Sequence, residues 1–281
     1  MSSSRRSFFR DLAVAARDVA RDVAAPSEPA VSTFSDAELE RYSRQLVLPE
    51  FGRREQVALR DASVLVIGAG ALGSPVAAYL VGAGVGRVGI AGHDEVELSN
   101  LHRQLLHDTP DVGTPKAQSA AAKLRLLNPE VIIEAYQVRV EPANVRGLVA
   151  DQDLVVDCSD SFPTRYCVNA ACCEARVPLV EGGVLGTGGL VMAIRPGETA
   201  CYRCAFPAAP PEDAQPTCAE AGVLGPAAGV IGSLQALEAI RMLADLPGAL
   251  AGHLLQVELA GHAFVRVAVT RRPDCPDCGA A

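Results

Sequence analysis

The stretch "SVLVIGAGALGSPV", Ser63 to Val76, constrains this chain more than any other part of it. An apolar, β-branched run leads straight into Gly68, Gly70 and Gly73. In a G-x-G-x-x-G spacing of this kind a strand passes through a tight turn into a helix, and the helix N-terminus with its unpaired N–H groups faces a phosphate. Pro75 suits the first turn of that helix, where a missing N–H costs little. The next apolar run, "RVGIAG", then completes a βαβ unit, which commits the surrounding fold to a parallel sheet. Taken alone, the glycine pattern favours NAD, and a lone match is often false.

The rest of the chain repeats the alternation. A helix is expected from about Lys116 to Leu127, a strand over "VIIEAYQVRV", a helix near Asn144 to Ala150, the strand "DLVVDCSD", a helix near Thr164 to Ala175 and the strand "VPLVEGG". Alternation of this kind reads as an α/β fold, Rossmann-like, with a doubly wound and mostly parallel sheet. From "GGLVMAIRPG" onward the pattern changes to strands, a proline-rich loop, a long helix near Val230 to Ala244 and two closing strands. Upstream, Ser35 and Asp36 are placed to cap a helix through "AELERYSRQLVL" that ends at Pro49. Residues 1–34 read as an extension: Phe8, Leu12, Ala15, Val19 and Val23 recur at helical spacing, and "APSEPAVST" follows as a linker. The domain proper is expected over residues 35–281.

Composition narrows the function classes. The net charge of −8 offers no basic footprint for nucleic acid. The uncharged run from Ala62 to Gly86 is long enough to suggest a membrane span, but its glycines and Pro75 fit a buried strand, turn and helix instead. Arg5 and Arg6 resemble an export signal; the charges from Asp11 to Asp22 interrupt the apolar region that a signal needs. Nine cysteines in such a chain point to reduced thiols and metal ligation, and to a cytoplasmic location.

The groups around the glycine turn suit ATP better than NAD. A dinucleotide site usually carries an acid about twenty residues past the glycines, on the ribose hydroxyls. Here Gly92 stands at that place, with Asp94 two residues on. "LSNLHRQ" and "VGTPKAQ" add Asn100, Arg103 and Lys116. Hydride transfer does not require such cations, whereas a carboxylate approaching the α-phosphate of ATP is repelled unless charge is neutralised. Asp160 lies at the end of a strand, where open α/β sheets place ligands, and a carboxylate there suits Mg²⁺. Taken singly, Arg103 and Lys116 are more often surface charges and Asp160 more often a helix N-cap. Cys201 and Cys204, with Cys275 and Cys278, form two C-x-x-C pairs whose four thiolates suit a structural Zn²⁺; a redox pair or unligated thiols stay open, because the gap is wider than in a simple zinc ribbon. Cys218 lies on the proline-rich loop, and Cys158, Cys167, Cys172 and Cys173 read as buried packing residues.

From "RYSRQLVLPEFG" through "LSNLHRQLLH", "VGTPKAQSA", "DLVVDCSDSFPTRYCVNAAC", "CYRC", "PTCAEAGVLGP" and "CPDCG", the sequence resembles the ubiquitin-activating-like (ThiF/MoeB/HesA) adenylyltransferases, the molybdopterin-synthase branch above all. The resemblance covers roughly residues 38 to 279. It implies that Gly68, Gly70 and Gly73 hold ATP, that Asn100, Arg103 and Lys116 contact the nucleotide, that Asp160 binds Mg²⁺, and that Arg44 reaches the site of a second copy, hence a homodimer. It implies the Zn²⁺ site, a ubiquitin-fold sulfur-carrier protein ending in Gly-Gly as substrate, and a separate sulfur donor. In some branches a cysteine at the place of Cys218 is the nucleophile. The family's ribose-binding aspartate corresponds to Gly92, and there this chain departs. The expected activity is therefore ATP-dependent adenylation of the carrier's C-terminal carboxylate for thiocarboxylate formation. The competing readings are a non-catalytic carrier-binding scaffold with impaired ATP use, a relative acting on tRNA-bound adenosine, and an NAD oxidoreductase.

Overall fold

The computed structural model describes residues 34–211 and 222–279; the expected N-terminal helix and Cys218 lie outside the described residues. The chain divides into two units between Ala58 and Leu59.

In the first unit Ser35 caps helix α1 (Asp36–Arg41) through a reciprocal box: the Glu38 N–H donates to Ser35 Oγ (3.2 Å) and the Ser35 N–H to Glu38 Oε2 (2.7 Å). The helix stops well short of Pro49. Ser43 accounts for this, because its hydroxyl donates to the Glu40 carbonyl (2.8 Å), an acceptor the next helical turn would have used. Successive turns follow from Tyr42, and a single bridge, Leu48 to Phe51, closes around Pro49. Arg44 is exposed on these turns. Helix α2 (Arg53–Asp61) crosses from the first unit into the second.

The second unit is one eight-stranded sheet. Its strands are β1 (Ser63–Ile67), β2 (Arg87–Ala91), β3 (Ile132–Tyr136), β4 (Leu154–Asp157), β5 (Leu179–Leu185), β6 (Gly188–Ile194), β7 (His253–Glu258) and β8 (Ala263–Ala268), in the order β3-β2-β1-β4-β5-β6-β7-β8. The first five pair in parallel and the last three join antiparallel. Both faces of the central strands are covered, so they read as unbroken apolar runs; "VLVI" of β1 is buried throughout. Helix α3 (Gly73–Ala83) packs against both α4 (Lys116–Leu127) and α8 (Gly225–Leu243). Against Leu65, Ile67, Val155 and Leu179 sits a second cluster from α5 (Val145–Val149), α6 (Phe162–Ala175) and the short α7 (Tyr202–Ala205).

The parallel, doubly wound architecture is the expected one, with differences at the ends of elements. β3 stops at Tyr136, since its partner β2 is only five residues long. The long α8 opens at Gly225, five residues before the expected start, with Pro226 in its first turn.

The glycine turn is sterically fixed. Gly68 has φ +95°, in the region that disfavours side chains, and a Cβ on Gly73 would lie 1.9 Å from the Gly68 carbonyl oxygen. Gly73→Ala is expected to lower stability by about 1–3 kcal/mol through overpacking against backbone. Chemical denaturation measures the loss, and an unchanged midpoint would contradict this packing.

Candidate functional site

The sheet order reverses at β1, which has β2 on one side and β4 on the other. Ligands of open α/β sheets bind at the carboxyl ends of the strands beside such a switch point. Here two backbone bonds carry the ladder past the strand ends into the turns: the Gly68 N–H donates to Ala91 O (2.7 Å) and the Cys158 N–H to Ile67 O (2.8 Å). The glycine turn is thereby tied to the end of β2, and the end of β4 to β1. Leu72, at the N-cap of α3, offers no side-chain acceptor. The start of α3 is accordingly free of a capping side chain, as a phosphate-binding helix requires.

The segment after β2 closes over the turn. The Lys116 N–H donates to Asp94 O (2.9 Å), and Lys116 Nζ lies 3.4 Å from Asp94 Oδ2. Lys116 is thus a largely buried cation at the start of α4, not a solvated surface charge. Asp94 is paired with it and also lies 3.2 Å from His93 Nε2. Asn100 is buried within a 3₁₀ turn, where its Oδ1 accepts from the Glu97 N–H (3.3 Å). Arg103 is half-buried, and its guanidinium donates to Ser99 O (2.9 Å).

His107 shows how the pieces are joined, and nothing in the sequence singled it out. It is buried; Nε2 lies 2.9 Å from Ala69 O and Nδ1 2.8 Å from Ser119 Oγ. A carbonyl only accepts, so Nε2 carries the proton. Burial lowers the pKa of the ring, and Lys116 adds to this against the opposing pull of the Ala69 carbonyl. A neutral imidazole thus bolts the glycine turn to α4, one helical turn past Lys116. Gln104, also buried, lies with its Nε2 3.7 Å from a Cβ built on Gly70, while its Oε1 has no partner among the described residues. That orphaned acceptor beside the glycine turn is available to a ligand donor.

Across the crevice, a Cβ on Gly68 would lie 3.0 Å from Cys158 O, so the glycine turn rests on the backbone leading to Asp160. Asp160 is exposed, and no group among the described residues hydrogen-bonds to or pairs with it. It is not the cap of α6; Ser161 is, through its hydroxyl and the Thr164 N–H (3.5 Å). Asp160 is therefore free for a cation, and a lone exposed carboxylate beside a phosphate site fits Mg²⁺. Gly92 leaves open space, a Cβ there meeting nothing nearer than Ala69 N at 3.8 Å. Arg44 belongs to the first unit.

The four cysteines of the two C-x-x-C pairs converge. Sulfur separations are 3.9 Å for Cys201 to Cys204, 3.6 Å for Cys201 to Cys275 and 3.4 Å for Cys204 to Cys278, and all four lie within 4.8 Å of one another. Tetrahedral Zn²⁺ with bonds of about 2.3 Å needs sulfurs about 3.8 Å apart, so the cluster fits that ion. Two of the four are reluctant thiols without a cation: a hydrogen bond with Cys173, then burial, holds Cys201 far above the thiol range, and burial first, then Cys204, does the same to Cys278. Asn169 of α6 joins the halves, accepting from the Tyr202 N–H (2.8 Å) and donating to Asp277 (2.7 Å). Arg203 also bonds Asp277 (2.7 Å). Of the other cysteines, Cys158 and Cys172 are buried, whereas Cys167 and Cys173 are half-buried. Burial raises Cys158 and Cys172 far above the thiol range and Cys167 to about 11, which leaves none of the three a ready nucleophile.

Residues 42–277 match the ThiF family. The chain belongs to the ThiF family. Among related ThiF-type proteins, the sulfur carrier protein adenylyltransferase of Thermus thermophilus is 50% identical over 251 residues, 88% of this chain and 93% of that protein. The SAMP-activating enzyme E1 of Haloferax volcanii is 45% identical, covering 86% of this chain and 89% of its own length. The adenylyltransferase and sulfurtransferase MOCS3 of Sus scrofa is 46% identical over 89% of this chain, which spans only 55% of that protein. Escherichia coli MccB, crystallised with ATP, superposes with a TM-score of 0.76 over 85% of this chain and 74% of that one; at 23% identity the likeness is one of fold.

In this ThiF-family chain the tetracysteine cluster is expected to hold one zinc per chain. Elemental analysis should find it, and chelation or Cys204→Ser should remove it and lower the thermal midpoint. Asn169→Ala should keep all four ligands yet release zinc at roughly 10–100-fold lower chelator competition, as loss of an outer-shell partner does.

Proposed function

We propose that residues 35–281 form an ATP-dependent adenylyltransferase that activates the C-terminal glycine carboxylate of a small ubiquitin-fold sulfur carrier. The observation that carries this reading is the switch-point site itself: an uncapped glycine turn, a buried lysine bolted to it through His107, and, just past the end of β4, an aspartate without a partner among the described residues. The 50% identity to a sulfur carrier protein adenylyltransferase supports the choice of substrate.

In this reading the carrier's carboxylate attacks the α-phosphorus of ATP. A carboxyl–phosphate bond forms, the α–β bridge breaks, and pyrophosphate leaves. The chain positions two anions that repel each other. The amides at the start of α3 and the turn of Gly68, Gly70 and Gly73 take phosphate oxygens, with Asn100 on the nucleotide, and Lys116 and Arg103 supply positive charge. Arg44 of a second copy adds another, in a homodimer. Asp160 would hold Mg²⁺, which neutralises phosphate charge when bound. Cys201, Cys204, Cys275 and Cys278 would hold Zn²⁺ as a structural ion. A separate sulfur donor then completes the thiocarboxylate. Cys218 is proposed as a thiol able to displace AMP from the adenylate, a step that follows adenylation and is not needed for it.

Gly92 favours a second reading, a carrier-binding scaffold with impaired use of ATP, because the acidic group that usually holds the ribose is missing from an open position. Asp94, the other acid nearby, is already paired with Lys116. No helix among the described residues is long and apolar enough to cross a membrane.

Carrier-dependent exchange of pyrophosphate into ATP separates the two. Exchange is expected with a carrier ending in Gly-Gly, reduced at least about 100-fold in Asp160→Ala and unchanged in Cys218→Ser. A protein that is folded and dimeric but inactive with every carrier is the scaffold. Gly92→Asp, which has room for its carboxylate, is expected to lower the KM for ATP roughly tenfold, the effect of one regained hydrogen bond to a charged group. An unaltered KM would show that another group already serves the ribose.

A further inference from the structure

Beneath the candidate nucleotide site lies a buried ionisable cluster that the proposed chemistry does not use. Asp157 and Glu181 are register partners on the parallel strands β4 and β5, so their side chains stand on the same face, about 4.8 Å apart along the ladder. Both are fully buried, and Arg165 of α6 nearly so. Arg165 Nη1 donates to Glu181 Oε2 (3.3 Å) and Nη2 to Ser159 O (2.5 Å). Asp157 Oδ1 accepts from the Ser159 N–H (2.8 Å). Both backbone groups of Ser159 are therefore gripped by this cluster, one residue before Asp160.

Three oxygens of the cluster are left without a partner among the described residues: Asp157 Oδ2, Glu181 Oε1 and Ser159 Oγ, all buried. The Ser159 hydroxyl carries its own proton, whereas the two carboxylate oxygens can only accept. The other groups that face the cluster are Cys158 from the end of β4, Cys167 and Cys172 from α6, Tyr202 from α7 and the Gln235 amide from α8, whose Nε2 donates to Asp157 O (2.8 Å). None of them is a cation. Two ionised carboxylates against one guanidinium would leave a net negative charge out of reach of water, which is far costlier than binding a proton.

We propose that Asp157 and Glu181 share one proton, held between Asp157 Oδ2 and Glu181 Oε1, and that the resulting pair clamps Ser159 through Arg165 and so positions Asp160. The proton satisfies both orphaned carboxylate oxygens at once and brings the cluster to neutrality. Burial, then the charge of Asp157, pushes Glu181 well above the carboxylate range, in keeping with this; the proton belongs to the pair. Asp157 and Arg165 are thus positioning residues. Only the purpose of the clamp rests on the adenylation reading; the proton does not.

The pH dependence has a definite sign. A carboxyl whose folded pKa is raised binds more proton in the folded than in the unfolded chain between the two values. Stability is therefore full below the unfolded value, near 4.3 for glutamate, and falls as pH rises toward the folded one, by up to tenfold in the folding equilibrium per pH unit. Glu181→Gln supplies a fixed N–H in place of the shared proton and removes that slope. Urea unfolding of the intact chain from about pH 5 to about pH 8 is expected to show Glu181→Gln gaining steadily on the wild type; parallel curves overturn the shared proton. Should that variant fail to fold, infrared spectra of the wild type at neutral pH must still show a protonated carboxyl band, and its absence overturns the proposal equally. Amide hydrogen exchange over residues 158–161 reads the clamp itself. Protection is expected to persist in Glu181→Gln and to drop about tenfold or more in Arg165→Lys, whose single ammonium cannot bridge Glu181 and Ser159; equal protection in the two overturns the positioning role. Neither readout uses carrier or nucleotide, so their failure leaves the adenylation reading standing, and the loss of that reading leaves them standing.

Discussion

The site depends on backbone packing before it depends on any side chain. Gly68 must carry a positive φ, bond to the end of β2 and lie against the Cys158 carbonyl, while Gly73 must come within reach of the Gly68 oxygen. These contacts leave no slack. Lys116 and Asp160 come from segments 44 residues apart in sequence, yet each is fixed relative to the same turn: Lys116 through His107 and Ser119 on α4, Asp160 through the backbone on which Gly68 rests. Preorganisation of this kind is what a reaction between two anions requires, since the counter-charges must be in place before the phosphate and carboxylate meet.

Much of this was legible in the sequence because it rests on local rules. The glycine spacing, the apolar runs of a sheet covered on both faces and the C-x-x-C pairs all follow from short patterns, and the strand order and the cysteine cluster agree with them. What escaped was decided by single side chains competing for backbone. Ser43 ends α1 by taking the Glu40 carbonyl, so the helix expected up to Pro49 is turns instead. Ser161 rather than Asp160 caps α6, which leaves Asp160 for other work. His107, Asn169 and the pairing of Asp157 with Glu181 are contacts between segments far apart in the chain, and no spacing announces them. Glu181 sits in "VPLVEGG", where an alternation pattern says only that a strand passes.

The molecule places its polar cost where its chemistry is. Away from the switch point the central strands are apolar. At their carboxyl ends the structure buries a histidine, a lysine, two carboxylates and an arginine. Such groups stabilise a fold less well than apolar residues of the same volume, but they hold backbone in one conformation by directional bonds. The chain belongs to the ThiF family and is 50% identical to a sulfur carrier protein adenylyltransferase and 45% identical to a SAMP-activating enzyme E1, both of comparable length.

The tetracysteine cluster joins residues 74 positions apart, and α8 and the β7–β8 hairpin lie between the two pairs. During synthesis the parallel strands and the glycine turn emerge first and α8, which packs on α3, follows, but the last cysteine pair cannot reach the first until the hairpin between them is made. The order of birth therefore separates the two halves: the switch-point crevice can form once α8 is in place, and an ion held by the four thiolates would act as a late latch, sealing the loop only once everything enclosed by it has been synthesised.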